Sequence, residues 1–155
     1  MKYGAVYERR GKIIFHADGK TTAGVFISIE PFVVLDTAAA GAAVLGSTLR
    51  QVLQHSREGL RHPAPNEWDA ISLPLYAAVG VRSWGAFVRG AELTNVEADE
   101  QTIRLLPHKN LGARDGFQPR GLDTIEVSAR ATDEEVGSAV MRALEVARAS
   151  EPHVV

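Results

Sequence analysis

IIFHADGKTTAGVFISIEPFVVL, residues 13–35, is the stretch on which the fold class turns. Ile13-Ile14-Phe15 reads as a strand ending near His16, and Asp18-Gly19-Lys20 carries a strong turn signal. Val25 to Ile29 alternates around Phe26 and Ser28, Glu30-Pro31 interrupts it, and Phe32-Val33-Val34-Leu35 fits a short buried strand. Upstream, Tyr3 to Glu8 alternates loosely before a turn at Arg9-Arg10-Gly11-Lys12. Four short strands joined by short turns predict an antiparallel meander, with the Val33 strand an inner one.

Helical periodicity follows. Asp36 or Thr37 is a fair N-cap, and Val44, Leu45, Leu49, Val52 and Leu53 recur at three- and four-residue spacing. The small residues Ala39 to Ala43 and Gly46 would let this helix approach a sheet closely. It should stop near Arg57, with Gly59 as the signal. Residues 59–70 are too rich in proline for a helix or an inner strand. Leu73-Pro74 suits the start of a short helix through Ala78, and Ser83 to Arg89 suits a helical turn or a strand. Leu93–Glu97 and Thr102–Leu106 read as a hairpin around Asp99-Glu100, residues 107–122 as the least regular segment, and Thr124–Val127 as a last strand. The final helix has the clearest signal. Thr132 stands three residues before Glu135 in a capping-box pattern, and Val136, Val140, Ala143, Leu144 and Ala147 form its apolar stripe. The expectation is a single α+β domain over residues 1–155, a mainly antiparallel or mixed sheet packed against two principal helices.

Composition narrows the chemistry. The 155 residues include no cysteine, which excludes disulfides, thiolate zinc and thiol catalysis. A net charge of −2 excludes a module that grips nucleic acid by net charge alone. The charge is uneven, with +2 over residues 1–60 and −4 over residues 61–155. No signal segment or spanning apolar run is visible, so a soluble cytoplasmic protein without a membrane partner is the default expectation. The histidines His16, His55, His62, His108 and His153 lack metal-ligand spacing, and no dinucleotide or phosphate-loop motif occurs. No metal or cofactor is expected, and the sequence defines no homo-oligomeric state.

Two surfaces invite a functional reading. Glu92, Glu97, Asp99 and Glu100 are the densest acidic stretch, suited to a basic partner, with Asp133, Glu134 and Glu135 as a second choice weakened by their capping role. Trp68 and Tyr76 flank the proline-bounded middle segment as candidate partner-binding anchors. His108, Lys109, Arg114 and Arg120 lie in a glycine-containing segment that could hold phosphate, with His108 as an acid or base. That gives the alternative reading, an RNA-binding or small RNA-processing protein. A small hydrolase at the sheet edge and a subunit of a larger assembly are further rivals.

Ser83-Trp84-Gly85-Ala86-Phe87, Val96-Glu97-Ala98-Asp99, Ile103-Arg104-Leu105-Leu106-Pro107, Asn110-Leu111-Gly112-Ala113-Arg114 and Gly116-Phe117 occur in that order. With Glu135-Val136-Gly137-Ser138-Ala139-Val140 and Arg142-Ala143-Leu144, this series resembles the contact-dependent growth inhibition immunity proteins over residues 80–150. The resemblance implies a non-catalytic bacterial protein that binds the C-terminal domain of a cognate toxin in the cytoplasm and blocks it. Many such toxin domains are nucleases, some of them transfer-RNA-cleaving, and direct binding of nucleic acid by the immunity protein is not expected. It implies architectural roles for Trp84, Phe87, Pro107, Gly112 and Phe117, and supplies no catalytic residues.

Overall fold

Apolar burial on both faces of the first strands sets the architecture of the computed structural model, which describes residues 1–149. Strands β1 (Lys2–Arg9) and β2 (Lys12–Thr21) form a hairpin in which Tyr3 faces Asp18 and Arg9 faces Lys12. Its turn places Arg10 and Gly11 at φ values of 48° and 80°, the pair of positive angles that matches strand twist. Strand β3 (Phe26–Asp36), helix α1 (Ala42–Leu53), strand β4 (Arg57–Leu60) and helices α2 (Trp68–Ala78) and α3 (Trp84–Val88) follow. The chain continues through β5 (Ala91–Ala98), β6 (Thr102–Asn110), α4 (Gly112–Asp115), β7 (Phe117–Pro119), β8 (Ile125–Ser128) and α5 (Asp133–Arg148). The sheet runs β3-β2-β1-β5-β6-β7, with β8 antiparallel on β6 and β4 parallel on the end of β2. This is the α+β class expected.

Period-two side chains give each sheet face its own core. Val6, Ile13, Phe15, Val96, Ile103 and Leu105 pack under α1 and α5, against Leu45, Leu49, Val136, Val140 and Leu144. Ala5, Tyr7, Ile14 and Leu93 face the other way, where Leu75 of α2 and Phe87 of α3 cover them. Arg9 ties α3 down, its guanidinium donating to the carbonyls of Phe87 at 3.0 Å and Ala86 at 2.9 Å.

Tertiary contacts override several local signals. Asp18-Gly19-Lys20 is strand, not turn: Gly19 pairs with both Ile27 and Arg57, and an added Cβ there would overlap the Leu60 side chain. Pro31 does not break β3. The pairing shifts between His16 and Ala17 so that Glu30 and Pro31 bulge out, and a bulge spares Pro31 a ladder hydrogen bond. The meander is therefore three long strands, and the Val33 strand lies at the edge of the sheet. Helix α1 begins later than expected, because the Asp36 carbonyl closes a turn onto Ala39 and Ala40. It also ends earlier, at Leu53. Ser56 is pinned there, accepting from the Tyr3 amide at 2.9 Å and donating to the Asp18 carbonyl at 2.7 Å, and the chain enters β4. Gly59 thus lies in a strand, and α2 starts at Trp68 and runs through Pro74. Val44 of the expected stripe is exposed. The hairpin, the last strand and the final helix fall as expected, and Thr132 accepts from the Glu135 amide at 3.1 Å.

The small residues of α1 serve a helix contact rather than a sheet contact. A Cβ on Gly46 would overlap the Asp133 carbonyl, and one on Gly137 would overlap the Ala42 carbonyl. The two first turns therefore touch backbone to backbone, antiparallel, in a reciprocal pair. One turn on, Arg50 pairs with Asp133 at 3.0 Å and donates to the carbonyls of Ala129, at 2.8 Å, and Ala131. Gly137→Ala must spread these helices, so a loss of about 1–3 kcal/mol is expected from overpacking. Urea unfolding checks this through a lowered midpoint at unchanged slope. Gly85→Ala, where an added Cβ meets nothing within 4 Å, is the control without that cost.

Candidate functional site

The short helices α2 and α3 cover only part of the second sheet face. Cross-strand partners project to the same side, so the pairing divides this face into rows. Val34, Ile14, Tyr7, Leu93 and His108 form one row, largely beneath α2 and α3. Phe32, His16, Ala5, Asn95 and Leu106 form the next. Ser28, Asp18, Tyr3, Glu97, Arg104 and Glu126 form the third, running across six strands.

The third row is acidic. Three carboxylates share it with one guanidinium, and Arg104 lies 3.7 Å from Glu97 and 3.1 Å from Glu126. Exposed pairs of this kind contribute little to stability, so their value to the fold is small. The Glu97 and Glu126 side chains keep 34% and 58% of their surface, enough to meet a partner. Between this row and α2 lies a cavity of about 220 Å³ lined by Tyr7, His16, Asp18, Tyr76, Trp84 and Asn95, among others. Burial, with Asp18 and Tyr76 alongside, pushes the Tyr7 hydroxyl well above its ordinary pKa and keeps it protonated.

The structure separates the four carboxylates of the densest acidic stretch. Glu97 joins the acidic row. Asp99 and Glu100 are exposed at the tip of the β5–β6 hairpin, where they line a groove of about 880 Å³ with Lys2, Arg50 and Gln101. Asp99 also holds the turn, accepting from the amides of Gln101 and Thr102 at 2.8 Å each, and these bonds lower its pKa. Glu92 turns to the opposite face, within reach of Arg148 at 3.4 Å, with its pKa raised by burial and partly restored by that arginine. Tyr76 lies at the cavity against Phe87, ring centroids 5.7 Å apart. Trp68 sits farther out on α2, edge-on to His62 at 5.3 Å. Of the second acidic choice, Asp133 is held by Arg50 and Glu135 by the helix cap.

The cationic segment is not gathered into a phosphate cradle. His108 is buried, with its Nδ1 2.8 Å from the Leu106 carbonyl and its Nε2 3.2 Å from the Asn95 amide nitrogen. Lys109 is half-buried in β6, Arg114 is exposed on α4, and Arg120 pairs with Asp123 at 3.1 Å. His153 lies outside the described residues. Trp84, Phe87 and Phe117 form an aromatic chain onto Tyr7, and the Trp84 indole donates to the Ala113 carbonyl at 2.9 Å. Among the described residues no three metal-ligating side chains converge, and no helix is long and apolar enough to cross a membrane. Sequence reasoning weighed Asp18 only beside His16 at a strand end and passed over Glu126, which is isolated in sequence; the signal that puts both in the acidic row is strand register.

A family model described as CdiI, CDI immunity protein, matches residues 31–147. No curated protein matches the chain in sequence. Among solved structures, a protein of unknown function from Neisseria meningitidis superposes with a TM-score of 0.78 at 14% identity, covering 95% of each chain. A chain of the CdiA-CT/CdiI toxin and immunity complex from Yersinia pseudotuberculosis superposes with a TM-score of 0.75 at 12% identity, covering 94% of this chain and 96% of that one. At such identity the likeness is one of fold.

The buried imidazole of His108 gives this face a pH signature. Since a carbonyl only accepts, Nδ1 carries the hydrogen and Nε2 accepts from Asn95. Burial holds the His108 pKa below its ordinary value, and the bond to Leu106 opposes that shift. The unfolded chain therefore binds the proton first. This contribution is complete above about pH 6.5 and is lost as pH falls below it. Urea midpoints at about pH 7.5 and about pH 5.5 should differ more for the wild type than for His108→Gln.

Proposed function

The chain belongs to the CDI immunity protein family, and from that membership we propose that it neutralises the C-terminal toxin domain of a contact-dependent growth inhibition system. In this reading it acts in the cytoplasm, by binding and without chemistry of its own, and it binds neither nucleic acid nor membrane. The toxin domain is a nuclease. A nuclease must receive phosphates, so its active site is cationic, and an inhibitor can offer carboxylates to the same groups.

The acidic row supports this reading. Asp18, Glu97 and Glu126 are aligned by backbone pairing, with Asp18 at the cavity beside α2 and Glu97 and Glu126 accessible to solvent. Strand pairing fixes their backbones, so the ordering left for the moment of binding is that of the side chains. Asp99 and Glu100 place two further carboxylates at the hairpin tip, in the groove they share with Lys2 and Arg50, and Tyr76 supplies an aromatic anchor beside the row. With a net charge of only −2, affinity must come from such a local patch and its anchors rather than from the overall charge.

Replacing Glu97 and Glu126 together by Lys should lower affinity for the toxin domain by about a hundredfold, since like charges then face each other across the interface. Calorimetric titration measures the loss, and circular dichroism confirms the fold. Asp99 is left intact because it holds the hairpin turn. Unchanged affinity would remove the acidic row from the interface.

A further inference from the structure

His16, which lines the cavity between the sheet and α2, leaves a hydrogen bond unmade. It is only 3% exposed, and its Nδ1 lies 3.0 Å from the Ala17 carbonyl and 3.3 Å from an Asp18 carboxylate oxygen. Both neighbours accept, so Nδ1 carries the hydrogen, and in the neutral ring Nε2 is an acceptor. That Nε2 is buried and has no partner among the described residues. Buried acceptors without donors are costly and uncommon, and one that persists at a cavity wall calls for a donor from outside.

The rest of the lining specifies what kind of donor. Asp18 adds a carboxylate whose side chain is 17% exposed, and Tyr7, Tyr76, Trp84 and Phe26 add aromatic rings. Carboxylate, bare acceptor and ring faces together favour a cation. One of the lining rings, Phe26, already has a cation of the chain's own near it, the Lys20 ammonium 5.8 Å from its centre. The cavity, at about 220 Å³, has room for a single side chain rather than a chain segment.

We propose that this cavity receives one cationic side chain, an arginine or a lysine, from the toxin domain. Its N–H groups satisfy His16 Nε2 and Asp18, and the aromatic rings flank its stem. This rests on the immunity reading and adds to it a fixed point of contact, which aligns the acidic row with the cationic site of the toxin.

The test titrates the toxin domain against the wild type, Asp18→Asn and Ser28→Lys. Asp18→Asn removes the charge and keeps the shape. Ser28→Lys, at a half-buried lining position of β3 directly across from Asp18, brings a cation of its own to that carboxylate and leaves residue 18 unchanged. Each should weaken binding by about tenfold or more, and Glu134→Gln on the opposite helix layer should leave it unchanged. Nitrogen-15 spectra of the His16 ring should show Nε2 gaining a donor in the wild-type complex. Should Asp18→Asn fail to fold, Ser28→Lys and the ring spectrum decide the matter. Full affinity in the variants with an unmoved Nε2 signal means a solvent-filled cavity, which overturns this proposal and leaves immunity standing. A wild type that does not bind the toxin overturns both.

Discussion

Two helix backbones touch, and the rest of the molecule is arranged around that contact. Gly46 lies on the Asp133 carbonyl and Gly137 on the Ala42 carbonyl, so α1 and α5 approach more closely than any side chain would allow. The approach is favourable because it replaces water with close backbone packing and with the Arg50 bonds to Ala129, Ala131 and Asp133. Drawn together, the two helices cover Val6, Phe15, Val96 and Leu105 with a single layer. That pair is the main cover of the core on one sheet face.

The other face is left to shorter elements. α2 and α3 bury Ile14, Tyr7 and Leu93, Arg9 fixes α3 through its final carbonyls, and α2 meets the acidic row across a cavity at its Asp18 end. Rigidity and exposure therefore coincide: a sheet backed by a full core presents carboxylates, a buried histidine and aromatic rings on its free side. In the proposed immunity reading, this surface meets the cationic site of the toxin domain.

Local signals revealed what local physics decides. The capping box at Thr132 and the stripe from Val136 to Ala147 set α5, and the hairpin around Asp99 followed from alternation on either side. The resemblance over residues 80–150 led to the family that the match over residues 31–147 establishes. Long-range pairing was hidden. Gly19 reads as a turn because the sequence does not show that Ile27 and Arg57 lie beside it, nor that Leu60 needs its missing Cβ. The bulge at Glu30-Pro31 hid the length of β3 in the same way. The site was half-legible for that reason. Glu97 was visible as charge density, but its companions Asp18 and Glu126 come from strands 79 and 29 residues away in sequence and are joined to it only by register.

The most direct measurement of the central claim is carboxylate footprinting of the chain, free and bound to its toxin domain, with labelled residues read by mass spectrometry. The account predicts that Glu97 and Glu126 lose reactivity in the complex while Glu134 and Glu145, exposed on α5, keep theirs. Protection of the α5 carboxylates with undiminished labelling of Glu97 and Glu126 would place the toxin on the opposite face and contradict it.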